Sequence, residues 1–161
     1  MKPEEQAEKL LADFSISSAP VNVEEIAKKF NIFISQAPSK EFSGLLYRKE
    51  EVAFMAINSS EPLVRQRFTI AHELGHYFLH HSKDTFIEYR DNDRNVIKGP
   101  KEIEANQFAA ELLMPKKFIE KEINNFEDKT IDSEKISYLA KRFHVSEEAM
   151  SFRLMNLNIA K

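Results

Sequence analysis

Cysteine is absent from this 161-residue chain. That removes disulfides, thiol nucleophiles and every cysteine-ligated metal site. A metal here must be held by His, Asp or Glu. Long apolar runs are missing too: no stretch approaches the ~18 consecutive apolar residues of a membrane span. The start, Met1-Lys2-Pro3-Glu4-Glu5-Gln6, lacks the apolar core of a signal peptide. A soluble, cytoplasmic protein with no membrane contact is expected. Nor is there an excess of positive charge. Lys plus Arg number 23 against 26 Asp plus Glu, a net charge of −3, which argues against an overall basic nucleic-acid binder. Repeats and low-complexity tracts are also lacking.

What is present suits one folded domain with a core. The chain is 42% hydrophobic and 30% charged, outside the range of disordered chains. Ala7, Leu10, Leu11 and Phe14 are spaced for a short amphipathic helix. Asn22 with Glu25 three residues on resembles a capping box for a second helix, whose apolar stripe is Val23, Ile26, Ala27 and Phe30. Ile32-Phe33-Ile34 reads as a strand. Leu45-Leu46-Tyr47 and Val52 to Ile57 flank the charged Arg48-Lys49-Glu50-Glu51, which predicts a hairpin and a small antiparallel sheet of three strands. Ser59-Ser60-Glu61-Pro62 opens a helix over about 62–81. Residues 82–100 read as a long, mobile, polar loop. Further helices are expected over about 101–113, 116–123, from Asp132 or Ser133 to Phe143, and from Glu147 onward behind a Ser146 cap.

The chemistry lies on the 62–81 helix. His72-Glu73-Leu74-Gly75-His76 is H-E-x-x-H. At about 100° per residue, positions i and i+4 sit one turn apart on one face. Two imidazoles can therefore converge on one ion, with Glu73 free to act on a water. His80, a further turn along, is too far for the same ion, and with His81 reads as exposed or supporting. The third ligand is expected to be a carboxylate. On the 101–113 helix, Glu102 shares a face with Ala105, Asn106, Ala109 and Leu113, whereas Glu104, Gln107 and Glu111 point about 140–200° away, toward solvent. A carboxylate on a small, apolar face needs a cation. Glu102 is therefore the candidate ligand, and Asn106, one turn later, is placed to orient a ligand from behind.

Two other patterns carry less. Asp91, Asp93, Asn95 and Glu102 have the spacing of a calcium loop, but Val96 stands where that loop needs glycine. Leu139 to Met150 reads as a helix-turn-helix, yet its second helix opens on Glu147-Glu148, which repels phosphate. Packing or partner binding is expected of it, and no direct contact with nucleic acid. Arg153 falls on the apolar face of that helix and wants a carboxylate partner.

Phe68 to His76, together with Glu102-Ile103-Glu104-Ala105-Asn106-Gln107-Phe108-Ala109-Ala110-Glu111-Leu112-Leu113-Met114-Pro115, resembles the ImmA/IrrE family of metallo-endopeptidases. Residues 20–27 and 145–154 are similar to that family as well. The resemblance implies a gluzincin-like zinc peptidase in which His72, His76 and Glu102 hold Zn²⁺ and Glu73 is the catalytic base. It implies an α+β fold: a mostly helical zincin-like core over residues 1–130, the small antiparallel three-stranded sheet, and a helix-turn-helix-like segment over 131–161 packed on it. It also implies a protein substrate, a helix-turn-helix repressor of a mobile element or stress regulon, encoded nearby as a separate protein. A further donor to the oxyanion is expected, with Tyr47, Tyr89, His81 and Arg153 as candidates. The competing reading is a regulatory module that binds a repressor with little or no cleavage.

Overall fold

The computed structural model describes residues 1–80, 84–89 and 99–160. In chain order they form α1 (Pro3–Asp13), α2 (Val23–Lys29), β1 (Ile32–Ala37), β2 (Gly44–Lys49), β3 (Val52–Asn58), α3 (Leu63–Leu79), β4 (Asp84–Tyr89), α4 (Pro100–Leu113), α5 (Lys116–Asn124), α6 (Ser133–Phe143) and α7 (Glu147–Asn156). The class is α+β, as expected. The helices start where their caps are: Asn22, Asp132 and Ser146 each accept a backbone N–H three residues on.

The sheet differs from the expected antiparallel three strands. Its order is β1-β3-β2-β4. β2 and β3 form the hairpin, from Gly44 opposite Ile57 to Lys49 opposite Val52, but β1 runs parallel to β3. The chain reverses once over residues 38–43 and again at Glu50-Glu51, so β3 regains the direction of β1 and slots between it and β2. Asn58 pins the first reversal: its Oδ1 accepts from Ser39 N at 2.9 Å and its Nδ2 donates to Ser39 O at 3.0 Å. The second difference is β4, antiparallel to β2. Of the 82–100 segment expected as a mobile loop, 84–89 is therefore strand, and residues 82, 83 and 90–98 lie outside the described residues. The calcium-like run from Asp91 to Asn95 lies outside them too.

One sheet face is buried and the other is open. Ile32, Ala53, Met55, Ile57 and Leu46 point inward onto α3 and its neighbours, while Phe33, Phe54 and Tyr47 point outward. Beneath the sheet, α3 lies against α4, and α1 covers α4 from another side. Gly75 sets the α3–α4 spacing: a Cβ there would meet Ala105 Cα at 3.0 Å and Ala105 O at 3.1 Å. Gly75 and Ala105 are small enough to let these helices close. The C-terminal helices join the same core through Leu139, Phe143, Met150 and Leu154. Arg67 of α3 reaches them, donating to His144 O at 3.0 Å and also to Val21 O at 2.9 Å.

Candidate metal centre

The α3 helix carries His72, Glu73 and His76 into the interior, none more than 1% exposed. One turn of helix brings the two Nε2 atoms to 3.2 Å. Glu102, in the first turn of α4, spans them, with Oε2 at 2.9 Å from His72 Nε2 and Oε1 at 2.9 Å from His76 Nε2. Ligand atoms about 2.0–2.1 Å from a common tetrahedral centre sit about 3.3–3.4 Å apart, so this triangle is close to the size a small divalent cation takes.

The outer contacts of the rings support that fit. His72 Nδ1 lies 2.7 Å from Asn106 Oδ1, an oxygen that can only accept. His72 must place its proton there, so a neutral ring offers a lone pair at Nε2. Two imidazole nitrogens and a carboxylate oxygen pair at such distances need a proton or a cation among them. Burial raises the affinity of Glu102 for a proton, but the contacts with His72 and His76 outweigh it and hold its carboxyl well below the usual range. It favours the charged form, which is the form that ligates.

Glu73 is placed differently. Its side chain is fully buried, and neither carboxylate oxygen has a hydrogen-bond partner among the described residues. Burial first, and then the charge of Glu102, push its pKa well above the ordinary value. A buried carboxyl left without partners is costly. It is retained next to two histidines, where a base that binds a water proton is of use.

His80, expected to be exposed or supporting, takes the supporting place, and Glu104, expected to meet water, touches it. His80 Nδ1 stands 3.0 Å from His76 Nδ1, and His80 Nε2 stands 3.3 Å from Glu104 Oε2. The signal was in the sequence: His72, His76 and His80 repeat at four-residue intervals, and neighbouring turns put such side chains in contact. Glu104 remains half-exposed at 47%, as expected of its face, but its end reaches His80. Glu111 departs further. Expected in solvent, it is 4% exposed, and Arg153 of α7 pairs with it.

Two of the four candidate oxyanion donors, Tyr47 and Arg153, have described side chains. Tyr47 faces away from α3, on the open side of β2 beside Phe33 and Phe54. Arg153 is engaged by Glu111 and donates from Nε to Met114 O at 3.0 Å, which meets its expected need for a carboxylate. Tyr89 ends β4 opposite Gly44, and only its backbone is described. His81 lies outside the described residues.

Comparison with known proteins gives a consistent picture. The Peptidase_M78 family model, IrrE N-terminal-like domain, matches residues 27–155. Metallopeptidase ImmA of Bacillus subtilis (strain 168) is 38% identical over 98 residues, covering 61% of this chain and 57% of that protein. A solved structure, a Mycobacterium tuberculosis transcriptional regulator, superposes with a TM-score of 0.61 at 17% identity, over 94% of this chain and 46% of that one. The chain thus spans about half the length of the proteins it matches. The last likeness concerns the fold.

Proposed function

Because this chain belongs to the Peptidase_M78 family of IrrE N-terminal-like domains, we propose that it is a zinc-dependent endopeptidase whose ligands are His72, His76 and Glu102 and whose base is Glu73. The observation that carries this reading is the triangle of His72 Nε2, His76 Nε2 and the Glu102 carboxylate, with the unpartnered carboxyl of Glu73 buried beside it. Bound there, zinc would supply Lewis acidity, polarising a peptide carbonyl and making a water acidic near neutral pH.

The chain's own groups do the rest. Asn106 holds the His72 ring so that Nε2 points at the triangle. Glu73 takes the proton of the attacking water. Desolvation makes it the stronger base, and its position inside α3 keeps it aimed. Once the carbonyl carbon has been attacked, Glu73 returns that proton to the leaving amide nitrogen, so the two new chain ends form with protons balanced. No described helix is long and apolar enough to cross a membrane, which suits an enzyme acting on soluble proteins in the cytoplasm.

The substrate in this reading is a helix-turn-helix repressor encoded near the gene. Its support is the resemblance of the two sequence motifs to the ImmA/IrrE family, which implies such a substrate. The segment 131–161 acts as a packed support for the peptidase part at 1–130 and a surface for that repressor, and Glu147 and Glu148 at its second helix keep it off DNA. The test is zinc stoichiometry of the purified protein, followed by incubation with the repressor encoded beside it and a gel. Wild type should hold one zinc and cut. Glu73→Gln should hold one zinc and fail to cut. Near-normal cleavage by Glu73→Gln would remove Glu73 as base, and a repressor bound but never cut would favour a regulatory module.

A further inference from the structure

Each of the two candidate histidine ligands has an outer partner, and the two partners differ. His72 uses a direct contact, Nδ1 to Asn106 Oδ1 at 2.7 Å. For His76 the partner is another imidazole, His80, at 3.0 Å between the two Nδ1 atoms. An imidazole is ambiguous in this role, since a neutral ring can place its proton on either nitrogen. If His80 carried its proton on Nδ1, two N–H groups would face each other, or His76 would have to hold its own proton on Nε2. Either outcome would spoil His76 as a ligand. Glu104 removes the ambiguity. Its Oε2 sits 3.3 Å from His80 Nε2, and a carboxylate can only accept. The proton of His80 therefore belongs on Nε2, its Nδ1 is the acceptor, and His76 donates from Nδ1 and keeps a lone pair at Nε2.

We infer that His80 and Glu104 are positioning residues that impose the Nδ1–H tautomer on His76 and aim its Nε2 at the metal. Both lie outside the ligand set. The His80 side chain is mostly buried, at 11% exposure, whereas Glu104 is reached from solvent at 47%. The chain has three links: Glu104 accepts from His80, His80 accepts from His76, and His76 ligates. All three are neighbours through helix geometry, His76 and His80 by one turn of α3, and Glu104 by the close crossing of α4 that Gly75 permits. This inference rests on the metal-centre reading above.

The experiment uses the full chain stripped of metal and titrated with zinc against a chromophoric chelator, with apo-state folding checked by circular dichroism. His80→Leu removes the acceptor and should weaken zinc about 10–100-fold. His80→Asn returns an acceptor oxygen near the position of Nδ1, and should recover most of the loss. Glu104→Leu should weaken zinc less than His80→Leu, while Glu104→Gln, which keeps an acceptor oxygen, should stay near wild type. Independently of any variant, nitrogen–proton correlation spectra of the zinc-loaded wild type should show His76 protonated at Nδ1 and His80 at Nε2. Wild-type affinity in His80→Leu, equal losses in His80→Asn and His80→Leu, or a proton on His80 Nδ1 would each overturn the inference. A His72→Ala control separates the two levels. If wild type takes up no zinc, the metal reading itself fails. If wild type binds, His72→Ala does not, and His80→Leu binds as wild type, only the positioning chain fails.

Discussion

Glu102 and Glu104 stand two positions apart on α4, and the difference between them shows how much one residue's direction decides. At about 100° per residue they leave the helix roughly 200° apart. Glu102 meets both histidines at 2.9 Å. Glu104 meets only the outer ring of His80. Glu102→Ala should therefore leave the two imidazoles without a third ligand and abolish stoichiometric zinc, while the apo fold survives, because this side chain is 31% exposed and fills no core space. Metal analysis after gel filtration decides it: a Glu102→Ala protein that still carries one zinc would require another third ligand. Glu73, by contrast, has no hydrogen-bond partner for either carboxylate oxygen among the described residues. A side chain that costs stability and gains no contact is the kind of residue that function retains.

At the scale of elements, the candidate metal triangle is a statement about how closely α3 and α4 approach. His72 and His76 come from one helix and Glu102 from the other, so any wedge between them stretches two of the three sides. Gly75 is where the helices touch, with Ala105 backbone atoms 3.0–3.1 Å from the position a Cβ would take. On helix propensity alone, Gly75→Ala would gain about 1 kcal/mol. Against a neighbouring backbone that cannot turn aside, overpacking costs about 1–3 kcal/mol. We expect net destabilisation in urea, together with weaker zinc binding. A variant more stable than wild type would show that α4 can shift without harm to the centre. Phe78 of α3 packs beside the same contact, against Phe30 at 4.8 Å and against Phe108 of α4 at 5.9 Å.

Across the whole molecule, the C-terminal helices are tied to the half that carries His72, His76 and Glu102 by buried polar links as well as by apolar ones. Arg153 of α7 pairs with Glu111 of α4 and donates to Met114 O, with both charged groups less than a tenth exposed. Arg153→Met should cost about 3–5 kcal/mol, since it strands a buried carboxylate. The pH dependence follows from the sign of the Glu111 shift. Burial raises its pKa, and Arg153 opposes that rise. The contribution of a carboxyl with a raised folded pKa is fully present below its unfolded value, about 4.3, and is lost as pH rises through the folded value. Without Arg153 the folded value moves higher still. The deficit of Arg153→Met should then be largest at neutral pH and shrink toward pH 4–5, as read from urea melts at the two ends. A deficit independent of pH would mean that lost packing, and not a stranded charge, is the cause.

The local signals were legible because they act over three or four residues. Asn22, Asp132 and Ser146 cap the helices they were expected to cap, the H-E-x-x-H spacing puts two rings on one face, and the wheel of α4 separated Glu102 from Glu104 without any tertiary information. The sequence alone thus determined most helices, the hairpin and the candidate ligands. Tertiary structure decided whatever depends on which distant segment arrives next. β1 and β3 became parallel because two reversals, not one, separate them. β4 formed because β2 offered an edge to a segment whose flanks are polar. Glu111 is paired with Arg153, from α7, on a helix face that the wheel assigned to water. Glu104, from another helix, met the outer nitrogen of His80, a contact that neither helix's own spacing announces. Periodicity reports which way a side chain leaves its own backbone, and only the packed fold supplies what it meets.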